Sequence, residues 1–456
     1  MGGAVRDLEL ARASTDLDLV IDGDPRRVAQ AIARRAPRAA HFALSEGHGA
    51  WRVVAAGQKW QIDIERLRAP TLDQDLAMRD FTINAIAQPL GGGEPIDPLG
   101  GIEDLAAGRL RMASDQAFAE DPLRVLRLAR ISVELGLRAD RPTMASARLQ
   151  SHAIAEVSAE RIFMELRRII AAPDPIRGLQ LLDELAATEV VLPELERLRG
   201  IEQSHFHHLD VHGHTLEVLR CVCQLQSDPA ATLGQAHAGA LEGLLAEPLS
   251  DELTRGDALR WGALLHDAAK PLTRAVNSDG RVTFIGHDSR GAELARDVLG
   301  RLRASSRTRS HVALLVANHL RLGFLVHETQ PLARSTVFDY LTACAAVEVD
   351  VTLLSVADRL ATRGKNATAA IEKHLRVAKD LLGEALRWHT EGPPPPLWRG
   401  DDLARELHIE PGPRLGDLLK QIARARYAGE ISDRAEALAY ARELEGSEAV
   451  SSPPGG

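Results

Sequence analysis

The spacing of apolar residues changes along this chain, and the change divides it. Near the start, Leu17-Asp18-Leu19-Val20-Ile21-Asp22 reads as a strand. Pro25 to Ala36 reads as an arginine- and alanine-rich helix with proline in its first turn. Ala50 to Ala55 and Lys59 to Glu65 run apolar or alternate, like two strands of a hairpin around Gly57. Asp97-Pro98-Leu99-Gly100-Gly101 punctuates the end of this α/β stretch. From Ala117 to Leu198 the period becomes helical, with Leu123, Leu126, Leu128, Ile131 and Leu135 on one repeat. Leu/Ala-rich helices follow over Thr215–Gln226, Ala258–Ala268, His311–Leu320 and Val347–Ala361. A stiff Glu391-Gly392-Pro393-Pro394-Pro395-Pro396 linker leads to a small helical tail, and Ser451 to Gly456 are expected to be disordered.

This pattern predicts an α+β chain: an α/β head over 1–112, then all-α regions over 113–198, 199–390 and 391–456. Its 456 residues are too long for one compact domain, and about three is the length prior. Three cysteines, Cys221, Cys223 and Cys344, make no disulfide framework and no paired zinc motif, so a reducing compartment is expected. No apolar run of about 18 residues exists and no signal peptide precedes Gly2, so the expectation is a soluble cytoplasmic protein without membrane contact. A formal net charge of −9 argues against an overall basic nucleic-acid binder and leaves room for a local basic face.

The chemistry starts with Gly2-Gly3-Ala4-Val5-Arg6-Asp7, followed by Asp16-Leu17-Asp18. Side chains two apart on a strand share a face, so Asp16 and Asp18 can hold divalent metal together. A glycine turn upstream lets backbone amides approach phosphate. A third acid on a neighbouring strand would complete such a centre, and Asp63 is placed for it. Taken alone, Asp-x-Asp more often marks two acids that simply face solvent on an edge strand.

The pattern does not stand alone. Arg79-Asp80-Phe81-Thr82-Ile83-Asn84-Ala85, Asp97-Pro98-Leu99-Gly100-Gly101-Ile102-Glu103-Asp104-Leu105, Glu120-Asp121-Pro122-Leu123-Arg124 and Ser158-Ala159-Glu160-Arg161-Ile162 follow in order. The ensemble closely resembles the class II tRNA nucleotidyltransferases, the CCA-adding enzyme and bacterial poly(A) polymerase family. That resemblance implies a polymerase-beta-like head that adds CCA, or only CC, to tRNA from CTP and ATP without a template. It also implies roles. Gly2 and Gly3 shape the turn against triphosphate, and Arg6 contacts phosphate. Asp16 and Asp18 bind Mg²⁺, with Asp63 as third catalytic acid. Arg79, Asp80 and Asn84 organise the sugar and catalytic face. Asp121 and Arg124 read the incoming base, Asp accepting from an exocyclic amino group and Arg donating to ring acceptors. Arg127 and Arg130 extend that helix face toward phosphates or stand solvated. The neck arginines Arg138, Arg141, Arg148, Arg161, Arg167 and Arg168 offer a basic surface for tRNA or ordinary helix salt bridges.

Two departures from the family pattern stand out. A strand usually precedes the glycine pair, and here only Met1 does, so a truncated or misplaced start is expected. The connection Arg66–Arg79 is short where the family carries a flexible loop, and Met78 replaces a commonly seen arginine; loss of that loop goes with enzymes that add only CC. Poly(A) polymerase is the alternative within the resemblance. An RNA-binding protein with an inactive head is the alternative outside it.

A second constellation orders His214, His266-Asp267, His287, His319 and Asp358. It resembles the HD phosphohydrolase superfamily, which implies a divalent transition metal held by imidazole and carboxylate and a phosphoester-hydrolysing activity. His205, His207, His208 and His212 read as loop residues, with extra metal binding possible. Lys420, Arg424 and Arg426 in the tail either touch RNA or face solvent. No protein partner is indicated.

Overall fold

The structure is a computed structural model, and it describes residues 1–45, 49–203, 208–363 and 367–451. It divides into two compact units, Met1–Pro193 and Glu194–Gly456.

The first unit begins with α1 (Gly3–Glu9), β1 (Asp16–Ile21), α2 (Pro25–Arg35), β2 (Ala40–Ser45), β3 (Ala50–Val54) and β4 (Gln61–Arg66). The sheet order is β1-β4-β3-β2, with β1 parallel to β4 and the other pairs antiparallel. The expected hairpin is β3–β4. The turn expected at the glycine pair runs straight into helix α1, and β2 lies outside the expected elements. On this edge strand Phe42 and Leu44 stand exposed, so no buried face imposes an alternation to read. Asp24 caps α2 by accepting from the Arg26 amide, and α2 lays Ala29 on Val53 and Ile64 of the sheet. Two short helices, α3 (Leu72–Ala77) and α4 (Gly101–Ala106), close the head.

Helices Arg124–Leu135, Ala159–Ala171 and Pro175–Glu184 then pack on one another and bury Leu126, Leu128, Ile131, Leu166, Ile169 and Leu182. This region is not purely helical: Arg138–Ala139 pairs in parallel with Arg109–Leu110.

In the second unit the main helices are Val211–Ser227, Arg255–Leu265, His287–Arg301, Ser306–Asn318, Glu348–Ala361 and Ala367–Glu391. Three of them start earlier than the apolar period suggests. Asp210, Thr254 and Ser305 cap them by accepting from the amides of Gly213, Asp257 and Thr308, and the polar first turn hides the start. Two short hairpins, Pro248–Ser250 with Leu253–Thr254 and Ala275–Val276 with Val282–Thr283, interrupt the region expected to be all helix. The tail helices Gly400–Leu407, Pro413–Ala428 and Arg434–Ser451 gather around Leu403, Ile422, Ala437 and Ala441. The expectation of disorder over Ser451–Gly456 is corrected at Ser451, which ends the Arg434–Ser451 helix, and otherwise falls on residues outside those described. Among the described residues no single helix is long and apolar enough to cross a membrane.

Candidate active sites

In the first unit, one cavity of about 490 Å³ is lined by Gly2, Gly3, Arg6, Asp16, Asp18, Arg79, Asp80 and Asn84 of the head and by Asp121, Arg124, Arg127 and Arg130 of the helical region after it. Every residue predicted for catalysis or nucleotide binding except Asp63 is therefore brought to one cavity.

Gly2 sits at φ 69°, a region that favours glycine, and a Cβ there would lie 3.2 Å from Asp18 Oδ2. Its N–H donates to Ile86 O at 3.0 Å, so this glycine braces the turn rather than offering its amide to phosphate. Asp16 and Asp18 stand on β1 with Asp63 directly beside Asp18 in register on β4. Burial raises the Asp18 carboxyl above its ordinary value; Arg79 opposes this, and Asp63 and Asp16 reinforce it. A carboxylate cluster that resists its own charge is a fit for a hard cation, and its donors are all oxygen. Asp63 is different. Arg52, its cross-strand partner on β3, grips both of its oxygens at 2.7 Å. The third acid is thus adjacent to the pair but held in an ion pair.

Around these acids runs a connected polar chain. Arg6 donates to Asp7 and, at 2.7 Å, to Asn84 Oδ1. Asn84 donates to Asp80 Oδ1 at 3.0 Å, and Arg127 donates to Asp80 Oδ2 at 2.8 Å. Burial alone would push the Asp80 carboxyl up, but Arg127, Asn84 and the Phe81 amide hold it below its ordinary value. Arg79 meets Glu65 at 3.2 Å. Arg130 is buried and joins Glu165 at 2.5 Å and Glu134 at 2.7 Å, so it is no solvated face. Arg124 donates to the carbonyls of Met78 and Ala117 at 2.8 and 3.0 Å, and to Arg79 O at 3.3 Å. Asp121 accepts from Arg161 at 2.7 Å. Arg52, Glu65 and the pairing role of Arg161 are not legible in the sequence, because each partner is set by register or packing across elements.

In the second unit His214, His266, Asp267, His287, His319 and Asp358 converge. His214, His266 and Asp267 offer ligand atoms all within 4.8 Å of one another, and so do Asp267, His287 and His319. Asp358 Oδ1 lies 2.9 Å from His214 Nε2. The local reason is the helix end. His266 and His319 directly follow the Arg255–Leu265 and Ser306–Asn318 helices, and His287 opens its own. Each of the three turns Nδ1 to the carbonyl three residues back, Ala263, Phe284 or Val316, at 2.7 to 2.8 Å. A carbonyl only accepts, so Nδ1 carries a proton in each ring, and Nε2 is the atom left to ligate a metal. Burial and the neighbouring His266 pull His319 down to about 4, which keeps it neutral. Burial would raise the Asp267 carboxyl, but His266 and Lys270, with Nζ at 2.6 Å, hold it well below its ordinary value. Imidazole and carboxylate together suit a borderline transition cation. His212 is not a loop residue: it lies buried on the Val211–Ser227 helix, 3.3 Å from Arg199 Nη1, because Asp210 starts that helix before it. His208 is exposed, and His205 and His207 lie outside the described residues.

Known proteins resemble this chain along most of its length. The chain matches the poly A polymerase head domain over residues 1–111, the probable RNA and SrmB-binding site of polymerase A over 136–198, and the HD domain over 211–363. It is 35% identical over 454 residues to an A-adding tRNA nucleotidyltransferase of Deinococcus radiodurans, covering 96% of this chain and 94% of the relative. It is 32% identical over 449 residues to a CC-adding tRNA nucleotidyltransferase of Thermus thermophilus, covering 96% and 92%. The solved structure of a CCA-adding enzyme in its apo form I shares the fold, with a TM-score of 0.62 at 19% identity over 97% of this chain and 89% of that one. Both families represented, nucleotidyltransferase and HD, are metal-dependent. By identity and coverage, this chain belongs to the tRNA nucleotidyltransferase family.

Proposed function

We propose that the head joins CMP or AMP, from CTP or ATP, to the 3′ hydroxyl of tRNA without a template. The new bond is O3′–Pα, and the bond from Pα to the leaving pyrophosphate breaks. The observation that carries this is a single cavity lined both by the carboxylates Asp16 and Asp18 and by Asp121 and Arg124, which are read here as the base readers. Mg²⁺ held by Asp16 and Asp18 would stabilise the attacking and leaving oxygens. Arg6 and Arg79 balance the triphosphate charge, and Gly2 keeps the turn close to Asp18. Asp80, held by Arg127 and Asn84, orders the sugar side. Asp63 contributes from within its pair with Arg52.

The reaction is further read as a partial one, adding CC. The connection that is short here is also pinned. Asp75 is fully buried, accepts from the Arg68 amide at 2.8 Å and the Arg68 Nε at 3.2 Å, and lies 3.7 Å from Arg79. Met78 and Arg79, at the end of that connection, hold Arg124 by their carbonyls. A base reader that admits C and A but is fixed in one setting suits one of those two bases. A-only addition is the second reading, carried by the Deinococcus radiodurans relative. Incubating the protein with tRNA ending before CCA, or ending in CC, with labelled CTP or ATP decides it. The expected result is extension of the first alone, by two C. Asp16→Ala or Asp18→Ala should cut incorporation about a thousandfold, since metal assistance supplies several kcal/mol; unchanged incorporation would refute the mechanism.

The second site is read as a phosphoester hydrolase. A transition metal on its histidines and aspartates would supply an activated water. The chain's own contribution is three pre-set Nε2 atoms and Lys270 beside Asp267. A tRNA substrate puts both reactions in the cytoplasm.

A further inference from the structure

We infer that Arg161 is a specificity-determining positioning residue, holding Asp121 so that its carboxylate favours C and A over U and G. The inference rests on the nucleotidyl-transfer reading above.

Asp121 and Arg124 line the cavity, but they are anchored in different ways. Arg124 is fixed by three backbone carbonyls on two segments. Asp121 sits at φ −146°, ψ 98°, in the break between the short helix Ala117–Glu120 and the Arg124–Leu135 helix. Its Oδ1 accepts from the Leu123 amide at 3.2 Å, a contact within its own turn. The tie that reaches it from another element is Arg161 Nη2 on Oδ2 at 2.7 Å, from the Ala159–Ala171 helix. A carboxylate on a turn swings about its terminal torsion, which has broad minima. Anchoring Oδ2 sets where the remaining lone pairs point.

That direction matters for base choice. Cytosine and adenine present an amino group to an acceptor, whereas uracil and guanine present a carbonyl that a carboxylate repels. Arg161 also neutralises an acid that would otherwise repel the incoming triphosphate. Half of the Arg161 side chain is exposed, at 50%, so its removal leaves the core intact.

The experiment compares wild type with Arg161→Ala, Arg161→Lys, Asp121→Ala and the double Asp121→Ala/Arg161→Ala. For each, kcat/KM is measured with the accepted nucleotide and with UTP, together with KM for tRNA. Arg161→Ala should raise KM for nucleotides and lower the selectivity ratio about tenfold, the low end of one base contact. It should leave KM for tRNA unchanged, and Arg161→Lys should recover part of the ratio. In the Asp121→Ala background, losing Arg161 should change selectivity no further, because its effect passes through that carboxylate. A raised KM for tRNA with unaltered selectivity, or additive losses in the double variant, would overturn the assignment and make Arg161 an RNA-phosphate contact. A wild-type protein that incorporates no nucleotide would overturn the reading beneath it as well.

Discussion

Gly101 shows how one atom can couple a sequence motif to a site. A Cβ built there would lie 2.2 Å from Thr82 O, a backbone atom that cannot swing away. Asp97 accepts from the Gly101 and Ile102 amides at 2.8 Å, so the Asp-Pro-Leu-Gly-Gly run caps α4 and presses it onto Thr82. Thr82 belongs to the segment that carries Asp80 and Asn84, and its hydroxyl donates to Asp104 at 2.6 Å. Gly101→Ala should therefore destabilise the protein by about 1–3 kcal/mol, the usual cost of overpacking, read as a lower urea midpoint at constant slope. It should also raise KM for nucleotide, since Asp80 moves with Thr82. A variant of wild-type stability would show that the contact relaxes freely. At this scale the sequence was informative about which residues act and silent about which partners hold them. Asp16 and Asp18 share a face by a strand's period of two, and the ordered motifs downstream mark that face as the one that acts. Arg52 does not, because its grip on Asp63 depends on the β3–β4 register.

Among elements, the same limit appears at Asp350, which no motif marks. It is fully buried on the Glu348–Ala361 helix, the helix that delivers Asp358. Arg255, in the first turn of the helix that ends at His266 and Asp267, pairs with it. His311, on the helix that ends at His319, comes within 3.6 Å of the same carboxylate. One carboxylate thus ties three helices that carry metal-site residues, through partners 95 and 39 positions away along the chain. Sequence periodicity reports which face of a helix is apolar, but not which buried ions meet across helices. Burial would raise the Asp350 carboxyl, but His311 and Arg255 hold it below its ordinary value. The folded pKa is depressed, so this stabilisation is complete above the unfolded value of about 3.9 and fades as pH falls through the folded one. Asp350→Asn takes from buried Arg255 its nearest carboxylate and leaves it the longer contact to Glu247 at 3.7 Å; the loss should be about 3 kcal/mol near neutral pH, the low end for a broken buried pair. The deficit relative to wild type should shrink as pH falls below about 4. Denaturation curves of both proteins across that range check it; a deficit that persists undiminished into acid would assign the loss to packing.

For the whole molecule, the decisive fact is how the two sites are distributed. Every head residue assigned to nucleotide or metal lies within Met1–Pro193, and every residue of the His/Asp cluster lies within Glu194–Gly456. Among the described residues, each set of candidate ligands comes from one unit, and two separable activities are therefore expected. The pair His266→Ala and Asp267→Ala removes two of six cluster residues and with them the carboxylate common to both ligand groups. That variant should lose transition-metal binding at the cluster in a titration, keep Mg²⁺ binding in the head, and lose metal-dependent phosphoester hydrolysis. Its nucleotide incorporation should stay within about twofold of wild type, as expected for sites with no shared partners. The reverse variant, Asp16→Ala with Asp18→Ala, should lose incorporation and keep hydrolysis. If either pair of substitutions abolished both activities in a protein that still unfolds with the wild-type midpoint, the two sites would be coupled, and the separation drawn from their residues would be wrong.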